Sequence, residues 1–299
     1  MYDIIGKRKI WYSISGILAA TSIIILIIWG LRLSIDFTGG SILEISYENQ
    51  RPSMQQIQDS LADIGLNGLK IQPSAEKDYL LRFEEVDETT HQEIIDKLSD
   101  IQVEDLSENK LTEQRFEAIG PVIGNELKNK AIEAILIVLV FIILYIAYAF
   151  RKVSKPVASW KYGLSAIVAL AHDILIITGI FAALGHFGIV EIDSLFVTAL
   201  LTILGFSVHD TIVTFDRIRE NLFKNQDKTF KEIVNISVNQ TIVRSINTSF
   251  TTLLVLLAIY FFGGKSINHF ILALILGVMI GTYSSIFIAA PLLLAFRKK

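Results

Sequence analysis

Six mostly apolar runs dictate what this chain can fold into: roughly residues 10 to 31, 131 to 150, 162 to 185, 192 to 214, 246 to 264 and 269 to 296. A helix needs about 20 such residues to cross the hydrocarbon core of a bilayer, and a spanning segment must satisfy its own backbone hydrogen bonds there. The runs predict a polytopic membrane protein with six transmembrane helices. Acids and bases are segregated around them. Residues 33 to 130 hold 20 Asp and Glu against 9 Lys and Arg, although the whole chain carries a formal charge of only −3. An acidic soluble insert between the first and second spans is the consequence.

The first run follows Lys7, Arg8 and Lys9 in the manner of a signal peptide. At 22 residues it is too long for a signal-peptide core, and no small-x-small cleavage site follows, so an uncleaved anchor is expected. Lys and Arg in short loops mark the cytoplasmic side. They gather at Lys7 to Lys9, at Arg151, Lys152, Lys155 and Lys161, at Arg217, Arg219, Lys224, Lys228 and Lys231, and at Arg297, Lys298 and Lys299. The opposite short loops offer only Lys265. Both termini, residues 1 to 9 included, are therefore expected inside the cell membrane and the acidic insert outside.

Within the insert, Ser41 to Tyr47 alternates apolar and polar residues, while Met54 to Ile64 places Met54, Ile57, Leu61 and Ile64 at helical spacing. Short strands at Leu69 to Gln72 and Tyr79 to Phe83, a helix at His91 to Leu98 and a strand at Arg115 to Ile119 complete a β-α-β-β-α-β order. That order predicts a small α+β ferredoxin-like domain over residues 36 to 126, with the five remaining spans in 131 to 299. Its one histidine, His91, and the carboxylates Glu84, Glu85, Asp87 and Glu88 read as a solvated acidic rim. No Ser/His/Asp arrangement, metal-binding pair or phosphate loop is present, so no catalysis, cofactor or metal is expected. The absence of cysteine excludes disulfides and thiolate chemistry, and no basic patch interleaved with aromatics suggests nucleic acid.

A charge at mid-bilayer costs at least about 2.5 to 3.5 kcal/mol, which makes intramembrane acids functional candidates. Asp173 follows His172 in the third run, and Asp210 follows His209 in the fourth. Glu133 lies near the end of the second, where snorkelling to the interface accounts for it. Ser207, Asp210, Thr211 and Thr214 share one helical face. Arg244, expected one turn before the fifth span with Asn247, Thr248 and Thr251 on its face, is the natural counter-ion. A movable Asp–Arg pair suits a proton relay, and a static ion pair remains the alternative. Gly277 and Gly281 form a small-xxx-small packing motif.

Several stretches are familiar together. Gly205 to Asn221, GFSVHDTIVTFDRIREN, resembles the fourth-span signature of the SecD/SecF family of protein-export membrane proteins, including its Asp216 and Arg217. Asp36 to Gly40, DFTGG, is similar to the family's lead-in to its outer domain, with Gly39 and Gly40. Gly120 to Leu127, GPVIGNEL, with Gly120 and Pro121, is similar to its exit. Ala171 to Asp173 matches the third-span motif, and Asn239 to Ser249, NQTIVRSINTS, matches the lead into the fifth span.

The resemblance implies an RND-like six-helix half that pairs with a SecD-like subunit at a SecYEG-type channel and uses the proton gradient to assist preprotein export. It nominates Asp210 and Arg244, with Asp173, for proton movement. No Walker motif offers direct use of ATP. Two other classes stand beside it, an RND-type small-molecule exporter half and a structural membrane scaffold. An exporter of that type carries two six-helix halves in one chain, whereas this chain has one; the scaffold is separated by proton flux with and without Asp210.

Overall fold

The computed structural model describes residues 2–74, 76–101, 110–151 and 157–296; Lys152, Lys155, Arg297, Lys298 and Lys299 of the basic clusters lie outside them. Two compact units result: a helical unit, Met1–Arg32 with Ala131–Lys299, and an α/β unit, Leu33–Lys130. Along the chain lie α1 (Arg8–Trp29), α2 (Ile35–Thr38), β1 (Gly40–Tyr47), α3 (Met54–Leu61), β2 (Lys70–Pro73), β3 (Asp78–Phe83), α4 (Glu88–Ser99) and β4 (Leu111–Ile119). Then come α5 (Pro121–Ala149), α6 (Ser159–His186), α7 (Ser194–Lys224), α8 (Phe230–Phe262), α9 (Asn268–Ser284), a π-helical turn at Ser285–Ala289 and α10 (Ala290–Ala295).

In the α/β unit the antiparallel sheet has the order β2-β3-β1-β4. The period-2 pattern of β1 sends Leu43, Ile45 and Tyr47 into a core shared with Leu81 and Phe83 of β3, Ile57 and Leu61 of α3, and Ile94 and Leu98 of α4. Ser53 and Gln56 form a capping box at the start of α3, and Asp87 caps α4 through the Thr90 amide. Both helices thus start where the apolar spacing of 3.6 begins. His91 departs from the solvated-rim expectation. It is 4% exposed, stacked on Phe116 and held between Glu88 at 3.2 Å and Glu113 at 3.1 Å. A bulge in β4 is the reason: Arg115 pairs with Glu44 but Glu113 with Ile45, so Glu113 and Phe116, three apart, share the helix-covered face.

Among the described residues six helices are long and apolar enough to cross a membrane, in agreement with the six runs. Three extend well past them. Pro121, pre-set for a first helical position, starts α5 inside the stretch assigned to the soluble domain, which leaves Glu133 more than three turns into the helix. α7 runs to Lys224, and a Thr229–Glu232 capping box starts α8 at Phe230. Arg244 consequently lies inside a helix rather than one turn ahead of one. Apolarity reports where a helix meets lipid, whereas caps report where it starts.

Close packing in the helical unit depends on small residues. A Cβ on Gly277 would sit 2.2 Å from Ile203, and one on Gly281 2.9 Å from Ser207, so the glycines bring α9 directly against α7. On the other side of α6, a Cβ on Gly179 would sit 2.4 Å from Ser22 of α1.

Candidate functional site

The face that α7 turns into the bundle carries Ser207, Asp210, Thr211 and Thr214, all buried. An apolar helix cannot bury four polar side chains without partners, and neighbouring helices supply them. Thr211 Oγ1 lies 2.9 Å from Ser285 Oγ in the π-helical turn, and Ser285 Oγ donates to the Ser207 carbonyl at 3.2 Å. Thr214 meets Thr241 of α8 at 3.4 Å, and Ser249 of α8 bonds Thr282 of α9. One polar seam therefore joins α7, α8 and α9 inside an apolar bundle.

Two carboxylates sit on this seam. Asp173 of α6 is 0% exposed; its Oδ2 accepts from Ser207 Oγ and Ser284 Oγ, each at 2.7 Å, and its Oδ1 lies 3.0 Å from His172 Nδ1. Asp210 of α7 is 5% exposed; its Oδ1 accepts from Ser245 Oγ at 2.9 Å, and its buried Oδ2 has no partner among the described residues. Asp210 is three residues along α7 from the serine that binds Asp173.

The expected counter-ion is placed differently. Ser245, not Arg244, faces Asp210, and no ion pair joins Arg244 to it among the described residues. Arg244, Asn247, Thr248 and Thr251 do share a face, but it is exposed in the chain, while Thr241, Ser245 and Ser249 make the buried face. Arg244 lies on the exposed side of α8, one residue from Ser245, whose hydroxyl reaches Asp210. His209 likewise lies on the exposed side of α7. Ser245, Ser284 and Ser285 were not singled out in the sequence. Ser284 and Ser285 carry a legible signal, since a Ser-Ser pair inside an apolar run calls for buried partners.

The glycine motif occupies a second locus, within the α/β unit. Asp36 lies in the short α2, whose N-cap is Ser34. Gly39 and Gly40 follow with φ of 73° and 120°, conformations open to glycine. A Cβ on Gly39 would lie 2.8 Å from Pro121 Cα, and one on Gly124 2.9 Å from the Gly39 nitrogen. The chain entering this unit and the chain leaving it thus touch backbone to backbone. Gly120 packs beside the Glu85 carboxylate.

A family model for the SecD/SecF protein-export membrane protein C-terminal region matches residues 100–299, and one for the SecD/SecF GG motif matches residues 24–50. The chain belongs to the SecD/SecF family. The protein translocase subunit SecF of Thermobaculum terrenum is 44% identical, over 100% of this chain and 95% of that relative. That of Anaerolinea thermophila is 36% identical over 99% of this chain and 94% of its own length. Among solved structures, the translocon-associated SecDF of Thermus thermophilus has a TM-score of 0.82 at 32% identity over 98% of this chain, which spans 38% of that longer chain. A super-membrane-facing form of SecDF gives a TM-score of 0.68 at 33% identity. The GG-motif match encloses Asp36, Gly39 and Gly40, and the C-terminal match encloses both carboxylates.

The remaining SecD/SecF motif residues take local roles. Gly205 faces open space on α7, and Asp216 and Arg217 pair with Arg219 and Glu220, each at 2.5 Å, on its polar end. Exposed pairs of this kind contribute about 0 to 1 kcal/mol, so stability does not account for them.

Proposed function

We propose that this accessory subunit of the Sec protein translocase couples proton movement through its helical unit to preprotein export, together with a SecD-like subunit at a SecYEG-type channel. The observation that carries the reading is Asp210: a buried carboxyl group held at one oxygen by Ser245, its other oxygen without a partner among the described residues. Such a group has an open position for a proton. A proton crossing about 150 mV releases roughly 3.5 kcal/mol. That exceeds a typical allosteric coupling of about 1 to 3 kcal/mol, enough to bias a domain movement.

Arg244 supports the partner. A polar stripe headed by one arginine, exposed at the start of the apolar half of α8, is costly against lipid and needs a protein face. The second half of an RND-like pair supplies one, and Arg244 then lies between the halves, one residue from Asp210's hydrogen-bond donor. Asp173 of α6 is joined to Asp210's helix through Ser207 and acts on the same polar seam. The α/β unit lies outside the cell membrane in this reading, with both termini cytoplasmic, and contacts unfolded polypeptide weakly. Single cysteines in the cysteine-free chain test the orientation. An impermeant maleimide applied to intact cells labels position 85 and not position 224; the reverse overturns it.

The decisive test is translocation into inverted vesicles with and without an uncoupler. Asp210→Asn keeps the shape but cannot titrate, so gradient stimulation is lost while folding and association with SecD persist. Full stimulation in that variant returns Asp210 to a structural role.

A further inference from the structure

We propose that His172 and Asp173 form a second proton-exchanging site, in which Asp173 is the fixed counter-ion and His172 Nε2 is the atom that takes and releases the proton. The inference deepens the proton-driven reading above and rests on it.

Hydrogen-bond arithmetic carries it. Asp173 receives Ser207 and Ser284 at Oδ2 and faces His172 Nδ1 at Oδ1, the pattern of a carboxylate surrounded by donors. In the proposed site the carboxylate is ionised, so Nδ1 carries the hydrogen and in the neutral ring Nε2 keeps the lone pair. The His172 side chain is 9% exposed, and Nε2 is buried without a partner among the described residues. A buried histidine with a purely structural role has both nitrogens bonded. Here one is anchored and the other is open, the arrangement by which a carboxylate sets the tautomer of a working imidazole. Protonation forms one N–H bond at Nε2 and breaks one O–H bond of a hydronium ion, which becomes water. It leaves an imidazolium beside the Asp173 carboxylate, and release reverses the step.

The groups able to bias His172 come from every helix packed on α6. Asp173 is beside it and Asp210 lies beyond Ser207 on α7. Tyr283 of α9 has its ring centroid 6.3 Å away and its hydroxyl on Ser15 of α1. Tyr12 of α1 has a buried hydroxyl without a partner among the described residues, and Arg8 and Lys9 lie a turn before it. His209 is on the exposed face of α7. Asp173 is the one group of these that contacts the ring through a hydrogen bond.

The test is ring-nitrogen NMR on the full chain, labelled with 15N-histidine and reconstituted in bilayers. The chain has five histidines, and His172→Gln assigns the signal. The expected result is an Nε2 that passes from unprotonated to protonated as pH falls between about 8 and 5, the range histidine commands. Asp173→Asn is expected to lower the midpoint by about one pH unit, a tenfold loss of proton affinity. Should that variant fail to fold, Ser284→Ala removes one donor from the carboxylate, concentrates its charge on the ring and raises the midpoint. An Nε2 locked in one state across the range, or a midpoint indifferent to Asp173 and Ser284, overturns the proposal. The measurement needs neither a gradient nor a partner. A titrating His172 in a protein whose export ignores the gradient therefore counts against the proton-driven reading and leaves the site itself standing.

Discussion

Asp173 and Asp210 occupy the same polar seam, yet one carboxylate faces three donors and the other one. Asp173 ties α6 to Ser207 on α7 and to Ser284 where α9 passes into the π-helical turn. Among the described residues Asp210 bonds only Ser245 on α8. The difference teaches that burial alone does not assign a role to an intramembrane acid; the number of its filled acceptor sites does. A saturated carboxylate holds helices in place, whereas a half-filled one has room for a proton. π-helical turns recur at functional sites because they open the regular ladder, and this one delivers Ser285 to Thr211.

Truncation should separate the two most sharply. Asp173→Ala strands the Ser207 hydroxyl and a ring nitrogen, while Ser284 keeps the Gly281 carbonyl, and is expected to cost about 3 to 5 kcal/mol. Asp210→Ala removes one hydrogen bond and is expected to cost about 1 kcal/mol. Thermal unfolding of the detergent-solubilised chain measures both, and equal losses would erase the distinction. Gly281→Ala comes next. Its Cβ meets Ser207, so it should push α9 from α7 and cost about 1 to 3 kcal/mol by overpacking. Gly205→Ala points into open space and should stabilise α7 by up to about 1 kcal/mol through helix propensity. If both glycine variants behave alike, close α7–α9 packing does not position Asp173's donors.

Much of this contrast was legible in the sequence, and the illegible part has a physical reason. Apolar runs located six spans, and alternation in Ser41 to Tyr47 located β1, because lipid and core each impose a period. The stripe through Ser207 and Asp210 was legible for the same reason. What periodicity does not encode is which face meets which neighbour. The amide- and hydroxyl-rich stretch around Arg244 offers two polar faces 100° apart, and only packing selects Ser245 for the interior. The bulge that turns Glu113 toward His91 is a one-residue slip without a compositional signature.

The smallest expected effect extends the comparison to a carboxylate outside the bundle. Asp87 of the α/β unit is exposed, and its carboxylate accepts from the Thr90 hydroxyl at 2.7 Å, the Thr90 amide at 2.9 Å and the Thr89 hydroxyl at 3.4 Å. The Thr90 hydroxyl, then its amide, hold the Asp87 carboxyl below the usual carboxylate range. A depressed folded value means that the cap stabilises α4 above the unfolded value, about 3.9, and that this contribution fades as pH falls through the folded one. Asp87→Asn still caps through its amide oxygen but has no proton to bind. Amide hydrogen-exchange protection along α4, corrected for intrinsic rates, should therefore fall more steeply from pH 7 to pH 3 in the natural chain than in the variant. Glu88, held low by Gln92 and His91, titrates in both. Parallel pH profiles would mean that Asp87's charge adds nothing to its capping. The rule that filled acceptor sites fix a carboxylate's role would then stop at the solvent-excluded seam.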